Sequence, residues 1–308
     1  MATTTSPPRT TRAAPPGLLG AALGTVYLAW GATYLAVMVM VTHMPALVAS
    51  GTRALAAGGL LAVGVAVWRG RRRLRVTRPE LGACVLIGLL LPVGGQGLVA
   101  VAEQRGAASG LTALIVAAVP LWVVCLRALG GERPPARSVI GILIGFVGVA
   151  ALIGAYGIGG VSPTGALLLV VLASISWALG SWLQPRLRLP ADPWVVVVYE
   201  MLVGGSVLCA LGVARGEELA LMSAPPRAWA AWAFLVVVGS ILALTAYHWL
   251  LQVTSVSVVS TYAYVNPVVA LWLGWLVLRE PVTHTTLAAA AVIVVGVAMV
   301  ITSERRRA

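Results

Sequence analysis

Two charged residues lie inside long apolar runs of this chain and could carry its chemistry. Arg53 falls within PALVASGTRALAAGGLL (45–61), and Glu200 lies in a valine-rich run that begins at position 194. A charge near the bilayer centre costs about 2.5–3.5 kcal/mol on insertion scales, so such residues usually face a cavity or a partner. Two interpretations stand open: a structural ion pair, or a solute site where Arg53 binds a carboxylate and Glu200 an ammonium group or a proton. Buried ion pairs are weak evidence for stability, which favours the functional interpretation.

These two charges occupy equivalent positions in an internal repeat. A spacing of 147 positions relates Arg53 to Glu200, Trp30 to Trp177, and Pro120 to Pro267. After a slip of one residue, Glu132 matches Glu280 and the tripeptide Gly-Val-Ala at 148–150 matches 296–298. Each copy contains five apolar spans. An odd number places the second copy upside down in the membrane, as in secondary transporters with a site near the midplane.

The composition requires that most of the surface faces lipid. Charged residues make up 10% of the chain, against roughly 25% in soluble domains, and hydrophobic residues make up 60%. A spanning helix needs about 20 mainly apolar residues. The sequence predicts ten such spans, at 18–41, 45–68, 81–101, 109–129, 138–158, 163–183, 194–214, 229–251, 255–277 and 283–302.

We therefore expect an all-α integral membrane fold of ten transmembrane helices, arranged as two inverted five-helix repeats around a central cavity. The expected division is a disordered cytoplasmic tail (1–16), a first repeat (17–158), a second repeat (159–303) and a basic cytoplasmic tail (304–308). Three cysteines inside apolar spans do not suggest a disulfide framework or a metal site.

The arginines predict the orientation, since cytoplasmic loops carry an excess of basic residues. All 21 basic residues are arginines. With the N-terminus inside, 16 of them fall on the cytoplasmic side and 4 outside, and Arg53 lies within a span. This predicts a multi-pass protein of the plasma (inner) membrane with both termini in the cytoplasm. The net charge of +12 is explained by these loops and does not suggest nucleic acid.

The depths of Arg53 and Glu200 follow from helix geometry. Each lies eight residues into its span, which is roughly 12 Å from opposite faces of a hydrocarbon core about 30 Å thick. The two depths then differ by about 6 Å, and we expect the side chains to face one another across the cavity. In low dielectric, Glu200 could also be the group that couples transport to protons.

Aromatic and amide side chains in the apolar spans extend the candidate site. These residues are Trp30, Tyr34, Gln96, Trp177, Tyr199, Tyr247, Tyr264 and Asn266. The alternatives are interface anchoring for the aromatic residues and interhelical hydrogen bonding for Gln96 and Asn266. For His248 we favour a hydrogen-bonded residue near the cytoplasmic interface over a proton relay. Pro120 and Pro267 are candidate kinks or hinges, since proline interrupts the helical hydrogen-bond ladder.

Several segments resemble a known family. They are LGTVYLAWGATYLAVMVM (23–40), PALVASGTRALAAGGLL (45–61), ASGLTALIVAAVPLWVVCL (108–126) followed by GGERP (130–134), and VSVVSTYAYVNPVVALWLGWLVLREP (256–281). In order, spacing and duplication they resemble the EamA-type permeases of the drug/metabolite transporter superfamily. The resemblance implies a cavity lined by spans 1–4 and 6–9, peripheral spans 5 and 10, and movement of small organic solutes, often outward.

The sequence thus favours a secondary transporter, proton-coupled or facilitative, that exports a small organic metabolite or drug-like solute. Arg53, Glu200 and the aromatic residues favour a carboxylate-bearing or zwitterionic solute such as an amino acid or aromatic metabolite; a cationic drug is the competing candidate. No cofactor or metal is expected. A membrane-embedded enzyme is disfavoured because the chain has one Asp, three scattered His and no phosphate-binding GxxxxGK[ST] loop. A structural protein would not explain the repeated charges, and a channel would need a filter sequence or charge ring.

Overall fold

A computed structural model of the chain describes residues 15–158, 162–217, 223–254, 256–259 and 261–305. The regular elements in these ranges are helices. In chain order the long ones are α1 Pro16–Val41, α2 Ala46–Leu74, α3 Arg78–Gln104, α4 Ser109–Leu129, α5 Ala136–Ile158, α6 Thr164–Arg186, α7 Pro193–Ala214, α8 Pro226–Val253, α9 Tyr262–Leu278 and α10 His284–Arg305. A short helical turn, Val256–Val259, precedes α9.

Within these ranges, nine helices are long and apolar enough to cross a membrane, and α9 contains a shorter apolar helix. The prediction of an all-helical, multi-pass membrane protein is confirmed. The largest boundary differences are at the start of α9, which begins at Tyr262 where the sequence predicted 255, and at the end of α2, which extends to Leu74 where the sequence predicted 68. Helix α3 extends to Gln104 where the sequence predicted an end at 101. Most of the predicted N-terminal tail (1–14) and the last three residues lie outside the described residues.

Helix boundaries follow from local chemistry. Thr77 and Glu80 form a reciprocal capping box at the start of α3, which satisfies backbone N–H groups that a helix start leaves free. The Asp192 side chain accepts a hydrogen bond from the Trp194 N–H (3.1 Å) at the start of α7. Proline stands in the first turn of α1, α7 and α8, where a missing N–H carries no penalty.

Within each half of the chain, an equivalent glutamine joins the third helix to the connection between the first two. The Gln104 amide donates to the Met44 carbonyl (3.2 Å) in the connection between α1 and α2. The Gln252 amide donates to the Ala191 carbonyl (3.3 Å) in the connection between α6 and α7. Both bonds run from the end of a half's third helix to the link between its first two helices.

Both α3 and α8, the third helix of each half, contain a π-helical stretch. It spans Leu89–Gly97 in α3, around Pro92, and Leu235–Leu242 in α8. The two stretches fall at nearly equivalent positions of the repeat. π-helical turns are rare and frequently occur at functional sites, because they offset side chains and free backbone carbonyls. The sequence analysis did not predict them.

Helices α2 and α7 pack antiparallel at unusually close range. A Cβ atom on Gly51 would stand 2.7 Å from the Cys209 nitrogen, and one on Gly205 would stand 2.8 Å from the Gly51 oxygen. Only glycine permits this approach of two backbones, a common device between membrane helices. The contacts pair position 51 with 209, 55 with 205, and 58 with 201 and 202.

This pairing sets the relative levels of the two intramembrane charges. By the same register, Arg53 lies level with position 207 and Glu200 with position 60. A seven-residue offset corresponds to about 10 Å along the helix axis. The predicted difference of about 6 Å was therefore too small, and the expected direct opposition of the two side chains is wrong.

Helices α5 and α10 pack on each other through a second glycine contact. A Cβ atom on Gly296 would meet the Gly145 nitrogen at 2.5 Å and the Gly141 oxygen at 2.6 Å. Among the described residues, neither helix lines the main cavity, whose walls come from α1, α2, α3, α4, α6, α8 and α9.

Candidate solute-binding cavity

The main cavity lies between helices of both halves of the chain. The empty space within it, including the part open to solvent, is about 680 Å³. Its walls include six of the predicted site residues: Trp30, Tyr34, Arg53, Gln96, Trp177 and Asn266. The π-helical stretches contribute Gly95, Gln96 and Gly239 to the same wall.

Arg53 is the cation of this cavity. Its side chain is 4% exposed, and a guanidinium nitrogen donates to the Gln96 side-chain oxygen. Among the described residues, no carboxylate forms a salt bridge with Arg53, and its Nε has no hydrogen-bond partner. A buried charge without an opposite charge is unfavourable, so the site is electrostatically suited to an anion.

Three aromatic rings, those of Trp30, Trp177 and Tyr262, line the cavity, and a fourth, that of Tyr247, packs against them. Trp30 lies 5.4 Å from Trp177, 4.9 Å from Tyr247 and 5.2 Å from Tyr262, between ring centroids. The indole N–H of Trp30 donates to the Gly239 carbonyl in the π-helical part of α8 (3.3 Å). The contacts of Trp30 with Trp177 and Tyr262 are edge-to-face, and the rings give the cavity an apolar, aromatic wall.

Tyr247 forms the layer behind this wall and does not line the cavity. It is buried, and its hydroxyl shares a hydrogen bond with Ser181 (2.9 Å). Asn266 does line the cavity. With its amide group turned so that the nitrogen faces acceptors, the nitrogen donates hydrogen bonds to the carbonyls of Tyr262 (3.2 Å) and Tyr27 (3.1 Å). Asn266 therefore joins α9 to α1, as the interhelical alternative predicted.

Tyr199 and Glu200 lie outside the cavity. The Tyr199 hydroxyl donates to the Leu74 carbonyl (2.6 Å) at the far end of α2, an anchoring contact. The Glu200 carboxylate is fully buried, and its Oε2 lies 2.8 Å from Nε2 of His248. The axial offset of α2 and α7 separates Glu200 from Arg53, so in this conformation the two do not form the ion pair or the joint site that the sequence suggested.

His248 is buried and hydrogen-bonded near the end of α8. It is 3% exposed, and its Nδ1 lies 3.2 Å from the Gln184 side-chain oxygen. The sequence places His248 close to the end of its span, but the packing of α6 and α7 covers it. Its partner could not be inferred from sequence because 48 residues separate it from Glu200.

Glu103 is a buried carboxyl that the sequence analysis missed. It is 2% exposed, and neither carboxyl oxygen has a hydrogen-bond partner among the described residues. It lies within electrostatic range of Tyr34, on the cavity wall, and of Glu280. The predicted end of span 3 at position 101 placed Glu103 in a loop. The signal available in the sequence was the Ala-rich stretch before it, which continues the apolar run.

Glu132 and Glu280, equivalent in the repeat, have different partners. Glu280 accepts hydrogen bonds from the backbone N–H groups of Ser109 (2.8 Å) and Gly110 (3.1 Å), at the start of α4. Glu132 is exposed and binds Arg127 (2.7 Å) and Arg186 (3.3 Å). The hydrogen bond from Arg127 lowers the pKa of Glu132. One end of the α4–α9 pair is therefore fastened by Glu280, while Glu132 makes surface ion pairs.

The two repeated prolines also differ. Pro120 stands in the first turn after an interruption of α4 at Ala117 and Ala118, whereas Pro267 lies inside the continuous helix α9. Tyr264 belongs to α9, and its side chain lies outside the described part of the chain. Within that part, no group of three or more His, Cys, Asp or Glu could hold a metal ion.

An all-helical, multi-pass protein with a cavity between its two halves has the architecture of a membrane transporter. The profile of the EamA-like transporter family matches residues 16–154 and again 164–302. The chain therefore belongs to the EamA-like transporter family, within the drug/metabolite transporter superfamily.

Relatives extend over nearly the whole chain. "Uncharacterized inner membrane transporter YedA" of Escherichia coli (strain K12) is 38% identical over 279 residues, which cover 91% of this chain and 89% of that protein. "Uncharacterized transporter YvbV" of Bacillus subtilis (strain 168) is 27% identical, covering 92% and 91%. A solved structure titled "Crystal structure of protein" matches with a TM-score of 0.64 at 22% identity, covering 95% of this chain and 99% of that one, a likeness of fold.

Proposed function

We propose that this protein is a secondary transporter that exports a small organic anion or zwitterion with an aromatic or apolar body. The observation that carries this proposal is Arg53, a buried guanidinium on the cavity wall with no carboxylate partner among the described residues. A bound carboxylate would supply the missing charge, and the ring cluster beside it would receive the body of the solute.

The proposed architecture is a pair of inverted repeats, residues 17–158 and 159–303. Three observations support it: the equivalent bonds of Gln104 and Gln252, the π-helical stretches of α3 and α8, and the antiparallel contact of α2 with α7. Such halves can rock around a site near the midplane and expose it to either side. The arginine bias supports cytoplasmic termini in the plasma (inner) membrane.

Gln96 acts in this proposal as the partner that holds Arg53 in place. An amide oxygen accepts a hydrogen bond without neutralising the guanidinium, so the charge stays available. A carboxylate in the same position would already have neutralised Arg53. This arrangement favours an anionic solute over the cationic drug that was the competing candidate.

Ligand binding to purified protein tests the proposal. The probes are 3-phenylpropionate, its uncharged methyl ester and tetraphenylphosphonium, applied to wild type and Arg53→Met. Charged hydrogen bonds contribute about 1.5–3 kcal/mol, so we expect carboxylate affinity to fall roughly 10–150-fold in Arg53→Met. Ester affinity should change little, since methionine preserves the apolar contacts.

Flux measurements in proteoliposomes complete the test. Efflux of the bound carboxylate that Arg53→Met slows would support the assignment. Equal binding of the carboxylate to both proteins would refute a role for Arg53. Tetraphenylphosphonium binding without carboxylate binding would favour the cationic-drug alternative.

A further inference from the structure

A strongly basic segment joins α2 to α3. Residues 69–78 contain six arginines and no acidic residue. Helix α2 ends in a 3₁₀ turn, Arg71–Leu74, and α3 begins at Arg78. Five of the arginines are exposed and form no salt bridge with a carboxylate among the described residues: Arg71, Arg72, Arg73, Arg75 and Arg78. The segment is therefore a concentrated positive surface.

The carboxylates near this segment already have partners. Glu80 Oε2 accepts hydrogen bonds from the backbone N–H (2.7 Å) and the hydroxyl (2.8 Å) of Thr77 in the capping box. Asp192 binds Arg69 (2.8 Å), whose guanidinium also lies 5.0 Å from the centroid of the Trp194 ring. Arg69 thus belongs to the contact between α2 and α7, whereas the other five arginines keep their charge available for a ligand.

The basic segment is held at a fixed place on α7. The Leu74 carbonyl accepts the hydrogen bond from the Tyr199 hydroxyl (2.6 Å), and the Leu74 side chain packs on the buried core. The ion pair of Arg69 and the capping box fasten the segment on either side of Leu74. The arginines therefore extend from an ordered backbone, which lowers the entropic cost of binding compared with a flexible basic tail.

Helices α2 and α3 flank α7 on two sides beside this segment. A Cβ atom on Gly58 of α2 would stand 3.0 Å from the Leu202 side chain. A Cβ atom on Gly88 of α3 would stand 3.3 Å from the Val203 side chain. Because Leu202 and Val203 are adjacent on α7 and contact different helices, the face of α7 between them opens outwards from the bundle.

This face, which we call the α7 strip, runs from position 199 to 210. Ser206 and Ala210 are exposed on it, and the Ser206 hydroxyl is satisfied by the Leu202 carbonyl (2.8 Å). The bond from Tyr199 to Leu74 places the basic segment across one end of the strip. The strip is about 16 Å long at 1.5 Å per residue, close to the roughly 15 Å of one leaflet's hydrocarbon. An acyl chain matches this length.

Charge decides between the occupants that could cover this surface. A second copy of the chain, inserted in the same orientation, would bring its own basic segment to the same depth, where like charges repel. A free anion would bind the arginines and leave the α7 strip bare. An anionic phospholipid satisfies both parts, because arginine pairs well with phosphate and clusters of about four to eight basic residues beside a spanning helix attract anionic lipids.

We propose that the basic segment and the α7 strip form a binding site for an anionic phospholipid. The phosphate lies on the exposed arginines, and an acyl chain lies along α7 between α2 and α3. A lipid in this position bridges the two helices that carry Arg53 and Gln96 on the cavity wall. The site is separate from the cavity and depends neither on the solute nor on the direction of transport.

Native mass spectrometry of the purified protein in detergent tests the proposal. The probes are phosphatidylglycerol and phosphatidylcholine with identical acyl chains, and wild type should retain phosphatidylglycerol preferentially. Each basic residue at an anionic headgroup contributes about fivefold in affinity, so the double variant Arg72→Gln/Arg73→Gln should bind phosphatidylglycerol roughly 25-fold more weakly and phosphatidylcholine unchanged. Arg137→Gln/Arg188→Gln is the matched control, because it removes two exposed arginines outside the segment, and it should behave as wild type.

A second pair of variants tests the acyl-chain part of the site. Ser206→Phe places a ring on the α7 strip and should lower the retention of both lipids. Leu60→Phe adds a ring at a position of α2 that is 58% exposed, on the side turned away from α7, and should retain lipid as wild type does. Since both positions are exposed, both variants should unfold at the wild-type detergent fraction.

Three results would overturn the proposal. Equal retention of the two lipids by wild type would mean that the arginines do not select a headgroup. An equal loss in the basic-segment variant and its arginine control would assign the effect to net charge alone. A dimer that Ser206→Phe dissociates without changing lipid retention would identify a second copy as the occupant. Carboxylate binding in Arg53→Met is a separate measurement, so either proposal can fail without the other.

Discussion

Replacing Gly51 with alanine should push apart the two helices that carry Arg53 and Glu200. The new Cβ would stand 2.7 Å from the Cys209 nitrogen and 2.9 Å from the Gly205 oxygen, where ordinary contact begins at 3.4 Å. Both obstacles are backbone atoms, which cannot rotate away. Relief therefore requires α2 and α7 to separate by about 0.5–0.7 Å, a gap that forfeits roughly a quarter to a half of each dispersion contact across it.

Gly59 provides the matched control on the same helix. A Cβ at Gly59 meets no atom within 4 Å, so Gly59→Ala should gain about 0.5–1 kcal/mol from the better helix propensity of alanine. Overpacking typically costs about 1–3 kcal/mol. The propensity gain is common to both variants, so the free energy of unfolding should be about 1–3 kcal/mol lower for Gly51→Ala than for Gly59→Ala.

Unfolding in a titration from mild detergent into sodium dodecyl sulfate, followed by circular dichroism, measures this difference. The two variants share helix, substitution and unfolded-state effect, so the comparison isolates the close approach. If Gly51→Ala unfolds at the same detergent fraction as Gly59→Ala, the α2–α7 register described above is incorrect. The offset of about 10 Å between Arg53 and Glu200, which is derived from that register, would then also be incorrect.

Three further predictions concern Glu103, Glu280 and Trp30. Glu103→Met should raise the free energy of unfolding by about 1–3 kcal/mol, because it removes a buried carboxyl that has no hydrogen-bond partner among the described residues. Glu217→Met should lower it by removing the acceptor of the Leu47 and Val48 N–H groups. In the detergent titration, a Glu103→Met protein less stable than wild type, or a Glu217→Met protein more stable than wild type, would contradict this. Glu280→Gln should speed amide hydrogen exchange at Ser109 and Gly110 roughly 10–150-fold, because it weakens charged hydrogen bonds that contribute about 1.5–3 kcal/mol. Glu132→Gln should leave the exchange rates of both amides unchanged. Equal rates in the two variants would argue against the role of Glu280 in holding the start of α4. Trp30→Phe keeps a ring but loses the hydrogen bond to Gly239, so it should lower the free energy of unfolding by about 0.5–1.5 kcal/mol. Trp30→Ala should lower it by about 3–5 kcal/mol, because the ring itself is lost. If thermal unfolding does not distinguish the two variants, the ring cluster contributes little to stability.

The order and spacing of residue types along the chain were sufficient to predict the helices and the repeat. Hydrophobic spans of about 20 residues predict membrane helices because the bilayer leaves few other options for satisfying the backbone. The duplicated Trp, Pro and Gly positions supported the family resemblance, which the family match confirmed. The candidate set also included six residues that line the cavity, since polar and aromatic side chains inside apolar runs are rare enough to be noticed.

The tertiary structure alone decided which of those residues meet. Equal depths of Arg53 and Glu200 in their own helices say nothing about the axial register of α2 against α7, which glycine contacts determine. The same limitation concealed the pairing of Glu200 with His248, the placement of Tyr199 at a helix end and the burial of Glu103. Hydrophobicity depends on residue type and can be read from the sequence, whereas register and burial depend on how the surfaces of separate helices fit together.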